Sequence, residues 1–316
     1  MATGPDTAPN SPAGGGSRRR ARFARRSGPG LGQAPVLLAV PAVLLLLAVH
    51  FAAPIAGMWY AFTDWSVTRP AQWVGLENFR EALGDADQRA ALLRTVELAT
   101  IYVIVVNVLA LALALALNRA IKTKGLLRTL YVLPALLGSL ATAYIWQYVF
   151  DYRGGLNLAL RTVGLDSWQQ AWIGDPDWAL WAILVAMVWN TVGLTMIIYL
   201  AGLQGVDSQL MEAAAVDGAG LWRRFRHIVL ALIAPAITIN VTLAMIRGLA
   251  AFDQVMALTG GGPVRSTETL ATQVYKQTFE LGRYGYGTAL SLIMTLLIAV
   301  AAIVQLTVMR SREAQI

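Results

Sequence analysis

Six long apolar runs, separated by short polar segments, dominate this chain. They lie at about 36–60, 95–117, 129–150, 178–203, 227–258 and 286–309. A helix needs about 20 apolar residues to cross the hydrocarbon core of a bilayer, because it rises about 1.5 Å per residue. None of the runs alternates as barrel strands do, so the backbone must be satisfied within helices. The pattern predicts an all-α membrane protein with six transmembrane helices.

Two of these runs differ from a simple span. The first is too long for the apolar core of a signal peptide and ends in a poor cleavage site, so we expect a retained helix, bent near Pro41 and Pro54. The fifth run is longer than a bilayer requires. We therefore expect its helix to project beyond the membrane or to tilt strongly.

Composition excludes a soluble protein and several kinds of site. Hydrophobic residues make up 57% of the 316 residues and charged residues 14%, whereas about a quarter of a soluble domain is charged. Cysteine is absent and only two histidines occur, so no disulfide, metal site or histidine-based catalytic pair is predicted. We assign no catalytic residue and no metal ligand.

The basic residues follow a topology rather than a nucleic-acid surface. Residues 1–33 are rich in Gly, Pro, Ala and Ser and carry six arginines, which predicts a disordered basic tail. With this tail inside, fifteen Lys and Arg residues lie in inner segments and nine in outer segments. The positive-inside rule then places both termini in the cytoplasm, including a short tail at 311–316. The segment at 205–226 is cytoplasmic too, and no nucleic-acid partner is predicted.

The segment at 205–226 joins the fourth and fifth runs and has the features of a helix–bend–helix. Asp207 or Ser208 can cap a short helix by accepting a backbone N–H. Gly218 and Gly220 suit the left-handed backbone that ends a helix. A basic turn that starts at Trp222 leads into the next apolar run.

Specific residues in this segment resemble a known family. Glu-Ala-Ala at 212–214, Asp-Gly-Ala at 217–219 and an aromatic three residues after Trp222 resemble the EAA loop of binding-protein-dependent ABC importer permeases. In that family the loop docks into a cleft of a separate ATPase subunit. The resemblance implies these ATPase-coupling residues: Glu212, Ala213, Ala214, Asp217, Gly218, Gly220, Arg223 and Phe225.

Motifs elsewhere are similar to the carbohydrate-uptake branch of these permeases. Thr-Gly-Gly-Gly-Pro at 259–263 and Gly-Tyr-Gly-Thr-Ala at 285–289 are close to a signature of the inner-membrane subunits of maltose, glycerol-3-phosphate and lactose transporters. The resemblance implies a type I ABC importer permease domain over 34–310, with a cytoplasmic EAA coupling helix between helices 4 and 5. One departure is Ala231, where the family usually has proline; we expect a straighter start to the fifth helix, with Pro235 as a later break.

The same resemblance implies the partners and the location of the chain. The expected partners are a second homologous permease subunit, two copies of a cytoplasmic ABC ATPase, an extracytoplasmic sugar-binding protein and membrane lipid, in a bacterial cytoplasmic membrane. The glycine run at 260–262 has no following Lys-Ser or Lys-Thr, and proline follows it, so it is not a phosphate-binding loop. We therefore expect no cofactor bound by this chain; ATP and Mg are used by the partner ATPase.

Polar residues inside the fourth and fifth runs are candidates for the solute path, because such residues face a bundle interior or a cavity. The register implied by the EAA loop gives these path residues: Asn190, Thr191, Arg247, Gly248, Ala251 and Phe252. Arg247 is equally consistent with a hydrogen bond between helices or a link to the partner permease. Gly248 and Ala251 are equally consistent with close helix packing. Arg247 and Asp253 lie about 120° apart on one helix and are not expected to pair.

These observations predict a permease subunit, without enzyme activity of its own, that translocates a sugar or oligosaccharide. One alternative is an ion-coupled secondary carrier, which favours inverted repeats and acidic residues at mid-membrane. A second is a membrane transferase, which needs carboxylates, histidines or a metal converging on one face. No motif in the chain organises either arrangement.

Overall fold

The computed structural model describes residues 36–119 and 122–313. The chain divides into two compact units, Met1–Ala52 and Ala53–Ile316. In the first unit Pro41 lies inside a helix that is followed by a π-helical turn, Ala48–Ala52. The basic tail predicted at 1–33 lies outside the described residues.

The described residues are almost entirely helical, and two isolated β-bridges, Thr63 with Trp73 and Ser66 with Arg69, are their only extended pairings. The all-α class is confirmed. In chain order the α-helices are α1 (Val36–Leu47), α2 (Ala53–Tyr60), α3 (Glu77–Gly84), α4 (Ala86–Leu117), α5 (Lys124–Val132), α6 (Ser139–Phe150), α7 (Gly155–Thr162), α8 (Pro176–Gln204), α9 (Ser208–Val216), α10 (Leu221–Arg224), α11 (Leu230–Leu232), α12 (Ala234–Leu249), α13 (Asp253–Thr259), α14 (Leu270–Tyr275) and α15 (Tyr284–Glu313).

Four helical segments are long and apolar enough to cross a membrane: Val40–Tyr60, Ala86–Leu117, Pro176–Gln204 and Tyr284–Arg310. Two further pairs of helices qualify if each bent pair is one span, so the described residues hold four to six spans. α4 begins before its apolar run because the Asp85 side chain accepts a hydrogen bond from the Asp87 N–H (2.8 Å). Asp175 caps α8 in the same way.

The run predicted at 129–150 is not one straight helix. The segments Lys124–Leu136 and Ser139–Thr162 meet at 101°. Pro134 lies in a 3-10 turn and Leu137 has an extended backbone, which interrupts the helical hydrogen bonds. The carbonyls of both residues accept hydrogen bonds from the Asn190 amide (2.9 and 3.3 Å). α8 therefore satisfies the backbone groups that the break exposes.

The prediction that 227–258 forms one over-long helix is wrong, whereas a break does occur beside Pro235, where one was expected. The segments Leu221–Leu232 and Ala234–Leu249 meet at 70°. Ala231 lies in the short helix α11, and the bend follows at Ile233 because Pro235 occupies the first turn of α12. α12 ends at Leu249, and α13 is a separate helix that ends at Gly260 in the left-handed region (φ 59°).

The core of the second unit is built where α4, α8 and α12 pack together. Two clusters of buried apolar side chains fill it, one around Ile183 and the other around Met196. Buried hydrogen bonds also connect the three helices: the Tyr199 hydroxyl donates to Asn107 Oδ1 (2.6 Å), and the Asn240 amide donates to the Thr195 carbonyl (3.1 Å). The packing positions α8 and α12 side by side, with their connection projecting from the bundle.

Candidate functional site: an exposed helical bend and a polar cavity

The connection between α8 and α12 begins with the capped helix α9. The Asp207 carboxylate accepts a hydrogen bond from the Gln209 N–H (2.8 Å), so Asp207 is the N-cap. At the other end, Gly218 adopts the left-handed conformation (φ 80°) that was predicted for it. The N–H groups of Gly218 and Ala219 donate to the carbonyls of Ala215 (3.1 Å) and Ala214 (2.9 Å). This pair of bonds is a Schellman motif, which fixes the direction in which the chain leaves the helix.

Gly220 differs from the prediction. Its φ of −64° and ψ of 164° are those of an extended residue, so it is the N-cap of α10 and not a left-handed stop. From α10 the Arg224 guanidinium donates to the Met211 carbonyl in α9 (3.3 Å). Phe225 and Met211 both pack on the core cluster around Met196. The two arms of the bend are therefore fastened to each other and to the helix bundle.

The outer surface of the bend is exposed. Of the predicted coupling residues, only Ala214 and Phe225 are half-buried; the exposed ones are Glu212, Ala213, Asp217, Gly218, Gly220 and Arg223. Three large apolar side chains beside them, Val216, Leu221 and Trp222, are 89%, 80% and 69% exposed. Exposed large apolar side chains beside charged residues are typical of a protein contact surface. A capped, exposed bend that is attached to the helix bundle can transmit the movement of a bound protein to the bundle.

A cavity of about 550 Å³ opens between α8, α12 and the break before α6. Five of the six predicted path residues line it: Asn190, Thr191, Arg247, Ala251 and Phe252. Gly248 does not line it. Whether these residues contact a solute stays a prediction.

Gly248 has a packing role instead. A Cβ built on it would lie 2.9 Å from Ala99 Cα and 3.2 Å from Tyr102 Cδ1. Glycine therefore permits the close approach of α12 to α4. This approach positions the adjacent Arg247 at the cavity wall.

The side chains of Asn190 and Thr191 donate their polar hydrogens to other groups of the protein. The two amide hydrogens of Asn190 are shared among the carbonyls of Pro134 and Leu137 and the Thr142 hydroxyl (2.9 Å). The Thr191 hydroxyl donates to the Met187 carbonyl (2.8 Å). Both residues are buried, and their hydrogen bonds shape the cavity wall.

Tyr102 on α4 is a cavity residue that sequence reasoning missed. Its hydroxyl lies 2.8 Å from the Thr191 hydroxyl, and Tyr102 lines the same cavity as Arg247. The only signal in the sequence is a tyrosine in the middle of an apolar run, because a buried hydroxyl needs a partner. Gln254 also lines the cavity, and the Phe252 ring lies 5.4 Å from that of Tyr275.

Arg247 and Asp253 face the cavity without pairing, as expected. The break at residues 250–252 separates them, because Arg247 lies in the last turn of α12 and Asp253 begins α13. Within the described parts of the chain the ion pairs are Arg265–Asp87, Lys276–Glu268 (2.5 Å) and Arg283–Glu81 (2.7 Å). The contact with Asp87 raises the pKa of Arg265. None of these pairs involves the cavity arginine.

Membrane-length helices around a polar cavity, with an exposed bend between two of the cavity helices, define a membrane transport component. The family of binding-protein-dependent transport system inner membrane components matches residues 106–312. The chain belongs to this family, and the family predicted from the EAA loop is confirmed. Its members are inner-membrane components, in agreement with the apolar helices.

Similar proteins extend the match beyond the family region. The probable starch degradation products transport system permease protein AmyD of Thermoanaerobacterium thermosulfurigenes is 30% identical over 280 residues, covering 88% of this chain and 94% of AmyD. The multiple sugar-binding transport system permease protein MsmF of Streptococcus mutans is 33% identical over 272 residues (85% and 93% covered). The trehalose/maltose transport system permease protein MalF of Thermococcus litoralis is 32% identical over 274 residues (86% and 92%).

Solved structures share the fold. A chain of a bacterial ABC transporter involved in the import of the acidic polysaccharide alginate superposes with a TM-score of 0.76 at 21% identity, covering 87% of this chain and 94% of that one. A second structure, of the alginate transporter in complex with an alginate pentasaccharide-bound periplasmic protein, gives a TM-score of 0.75 at 21% identity, with 88% and 94% covered. At this level of identity the likeness shows the fold alone.

Proposed function

We propose that this chain is the permease subunit of an ABC importer that translocates a sugar or oligosaccharide, driven by ATP hydrolysis in a separate subunit. The observation that carries the proposal is the bend at 205–226. It is capped at both ends, projects an exposed surface and directly joins α8 to the helices that lead into α12. A protein that moves the bend therefore moves two walls of the cavity.

Family membership supports the partners. Importers of this kind need a second permease to complete the path, two ATPase copies and a binding protein on the outer side. The proposed arrangement places both termini and the bend in the cytoplasm, in contact with the ATPase, and the helices in lipid. The relatives named above carry starch products, multiple sugars, trehalose and maltose in their names, which favours a saccharide here.

In the proposed mechanism ATP closes the ATPase pair and draws the two coupling bends together. The permeases then change from inward-open to outward-open, a two-state equilibrium biased by ATP on one side and the loaded binding protein on the other. ATP and Mg act only in the ATPase. The side chains of Glu212 and Asp217 contribute polar contacts to the docking surface.

The test uses the full complex in proteoliposomes with a panel of neutral and acidic oligosaccharides. Glu212→Lys reverses a charge on the exposed surface, and Gly218→Pro is incompatible with a φ of 80° because proline fixes φ near −65°. We expect both variants to assemble and to lose saccharide-stimulated ATP hydrolysis. Asp166→Lys, an equal charge reversal at an exposed site outside the bend, is the control and should retain it.

Normal stimulation in both variants would contradict the coupling role. Uptake that continues without ATP and collapses with the proton gradient would support a secondary carrier instead.

A further inference from the structure

One cationic side chain lines the cavity, and it forms no ion pair with a carboxylate of the described residues. Arg247 lies in the last turn of α12 with its side chain exposed at the cavity wall. Within residues 36–119 and 122–313, no carboxylate lies within 4.0 Å of its guanidinium. Because a charge inside a membrane domain is costly, such a residue faces water, a partner or a ligand.

Tyr102 lines the same cavity as this guanidinium, and its hydroxyl hydrogen is already used. Thr191 has one hydroxyl hydrogen, and it goes to the Met187 carbonyl. In the 2.8 Å contact between the two hydroxyls, Tyr102 is therefore the donor. The tyrosine oxygen keeps acceptor capacity, which the Arg247 guanidinium in the same cavity can use. Tyr102 is 1% exposed and cannot turn towards water, so it is a positioning residue for the arginine.

Among the described residues that line the cavity, Arg247 is the only cation, and Ser139 and Gln254 add uncharged donors. The hydrogens of Asn190 and Thr191 are committed to protein carbonyls and hydroxyls. A guanidinium has five N–H donors in a planar fork, and one contact with Tyr102 leaves most of them free. That geometry matches the two oxygens of a carboxylate better than the single oxygens of sugar hydroxyls.

Asp253 is a second charged residue of the cavity, with a charge opposite to that of Arg247. It lines the same space and lies in the first turn of α13. An anionic group is attracted to Arg247 and repelled by Asp253, so the two charges favour binding of the anionic group beside Arg247.

We infer that the solute of this permease is an acidic saccharide, whose carboxylate binds the Arg247 guanidinium that Tyr102 positions. The inference rests on the proposed import function and names its substrate class. It also assigns Tyr102 a role in specificity.

The test compares trisaccharides of galacturonate, glucuronate and mannuronate with the same trisaccharides after reduction of their carboxyl groups to alcohols. Uptake and ATPase stimulation are measured with the full complex and its binding protein. We expect acidic trisaccharides to be preferred. Arg247→Gln should lower the ratio of acidic to neutral uptake by about tenfold or more, because a charge-assisted hydrogen bond is lost. Arg247→Lys should retain part of the preference, since it keeps the charge and loses the fork.

Tyr102→Phe should raise the KM for acidic trisaccharides and leave both kcat and the thermal stability close to the parent values. A loss of stability with an unchanged KM would show a structural role and overturn the assignment of Tyr102. Arg161→Gln removes an exposed arginine outside the cavity and should leave the uptake ratio unchanged.

The outcomes separate this inference from the proposed function. Stimulation by neutral saccharides alone overturns the acidic class and leaves import intact. Failure of Arg247→Gln to assemble, with assembly restored by a compensating change in the second permease, shows an ion pair between subunits and also overturns it. Stimulation by no saccharide of either kind overturns both.

Discussion

Gly218 ends α9 in a backbone conformation that other residues rarely adopt. A substitution at this position therefore changes the conformation of the bend directly. The φ of Gly218 is 80°, and no heavy atom lies within 4 Å of a Cβ built on it. A side chain at 218 therefore meets no clash, and only the backbone conformation opposes it. Gly220, two residues later, also has open space around its Cβ position, but its φ is −64°. The two glycines form a matched pair.

The expected magnitude follows from this difference. A non-glycine residue in the left-handed region costs about 1–2 kcal/mol, which corresponds to a factor of about 5–30 in an equilibrium constant. Gly218→Ser should thus weaken the native bend by that factor relative to alternative conformations. Gly220→Ser places a favourable N-cap residue on a compatible backbone and should be neutral. Gly218→Asn should lie between parent and Gly218→Ser, because asparagine tolerates the left-handed region.

The assay titrates the purified ATPase against reconstituted permease and follows saccharide-stimulated ATP hydrolysis. The ATPase concentration for half-maximal stimulation should rise about 5–30-fold for Gly218→Ser and stay unchanged for Gly220→Ser. Equal behaviour of the two serine variants would refute the argument, because the backbone of the bend would then not determine docking.

Two further predictions concern packing in the helix bundle. Gly248→Ala places a Cβ 2.9 Å from a backbone atom of α4, so it should lower the free energy of unfolding in detergent by about 1–3 kcal/mol; Gly125→Ala, with open space around the added carbon, should not lower it. Tyr199→Phe removes the buried hydrogen bond to Asn107 and should cost about 0.6–1.7 kcal/mol, whereas Tyr148→Phe at an exposed site should cost nothing. Both are checked by reversible unfolding, and equal stability within either pair would show that the contact contributes no stability.

The apolar pattern predicted the helices whose position and ends are determined by residues close to them in the sequence. α4 and α8 contain long apolar runs, and aspartates that precede them supply caps that can be read from neighbouring residues. The bend at 205–226 was predicted for the same reason, since Asp207 and Gly218 act on backbone groups within a few positions. Gly220 was misjudged because two nearby glycines look alike in sequence.

The breaks before α6 and α13, unlike the one at Pro235, could not be predicted because their hydrogen-bond partners lie far away in the chain. The carbonyls at Pro134 and Leu137 are satisfied by Asn190, more than fifty residues later. The break before α13 is supported by the Thr269 hydroxyl, which donates to the Ala251 carbonyl (3.2 Å). When such partners cannot be seen in the sequence, only continuous helices satisfy the backbone N–H and C=O groups in lipid. The apolar runs therefore predict helices without breaks.

The cavity residues also divide into those that the sequence could identify and those that depend on contacts between distant parts of the chain. Arg247 stood out because a charge in an apolar run is unusual. Tyr102 did not stand out, because its proposed role depends on a contact with Thr191 on α8, and the sequence does not show that contact.

The side of the membrane that the bend faces is tested most directly by single-cysteine labelling. The chain contains no cysteine, so Glu212→Cys and Val67→Cys each introduce one thiol, at an exposed position of the bend and of the predicted outer loop. The account predicts that a membrane-impermeant maleimide labels Glu212→Cys only in inside-out vesicles, with protection when the ATPase is bound, and labels Val67→Cys only in intact cells. Labelling of Glu212→Cys from outside intact cells would contradict the account.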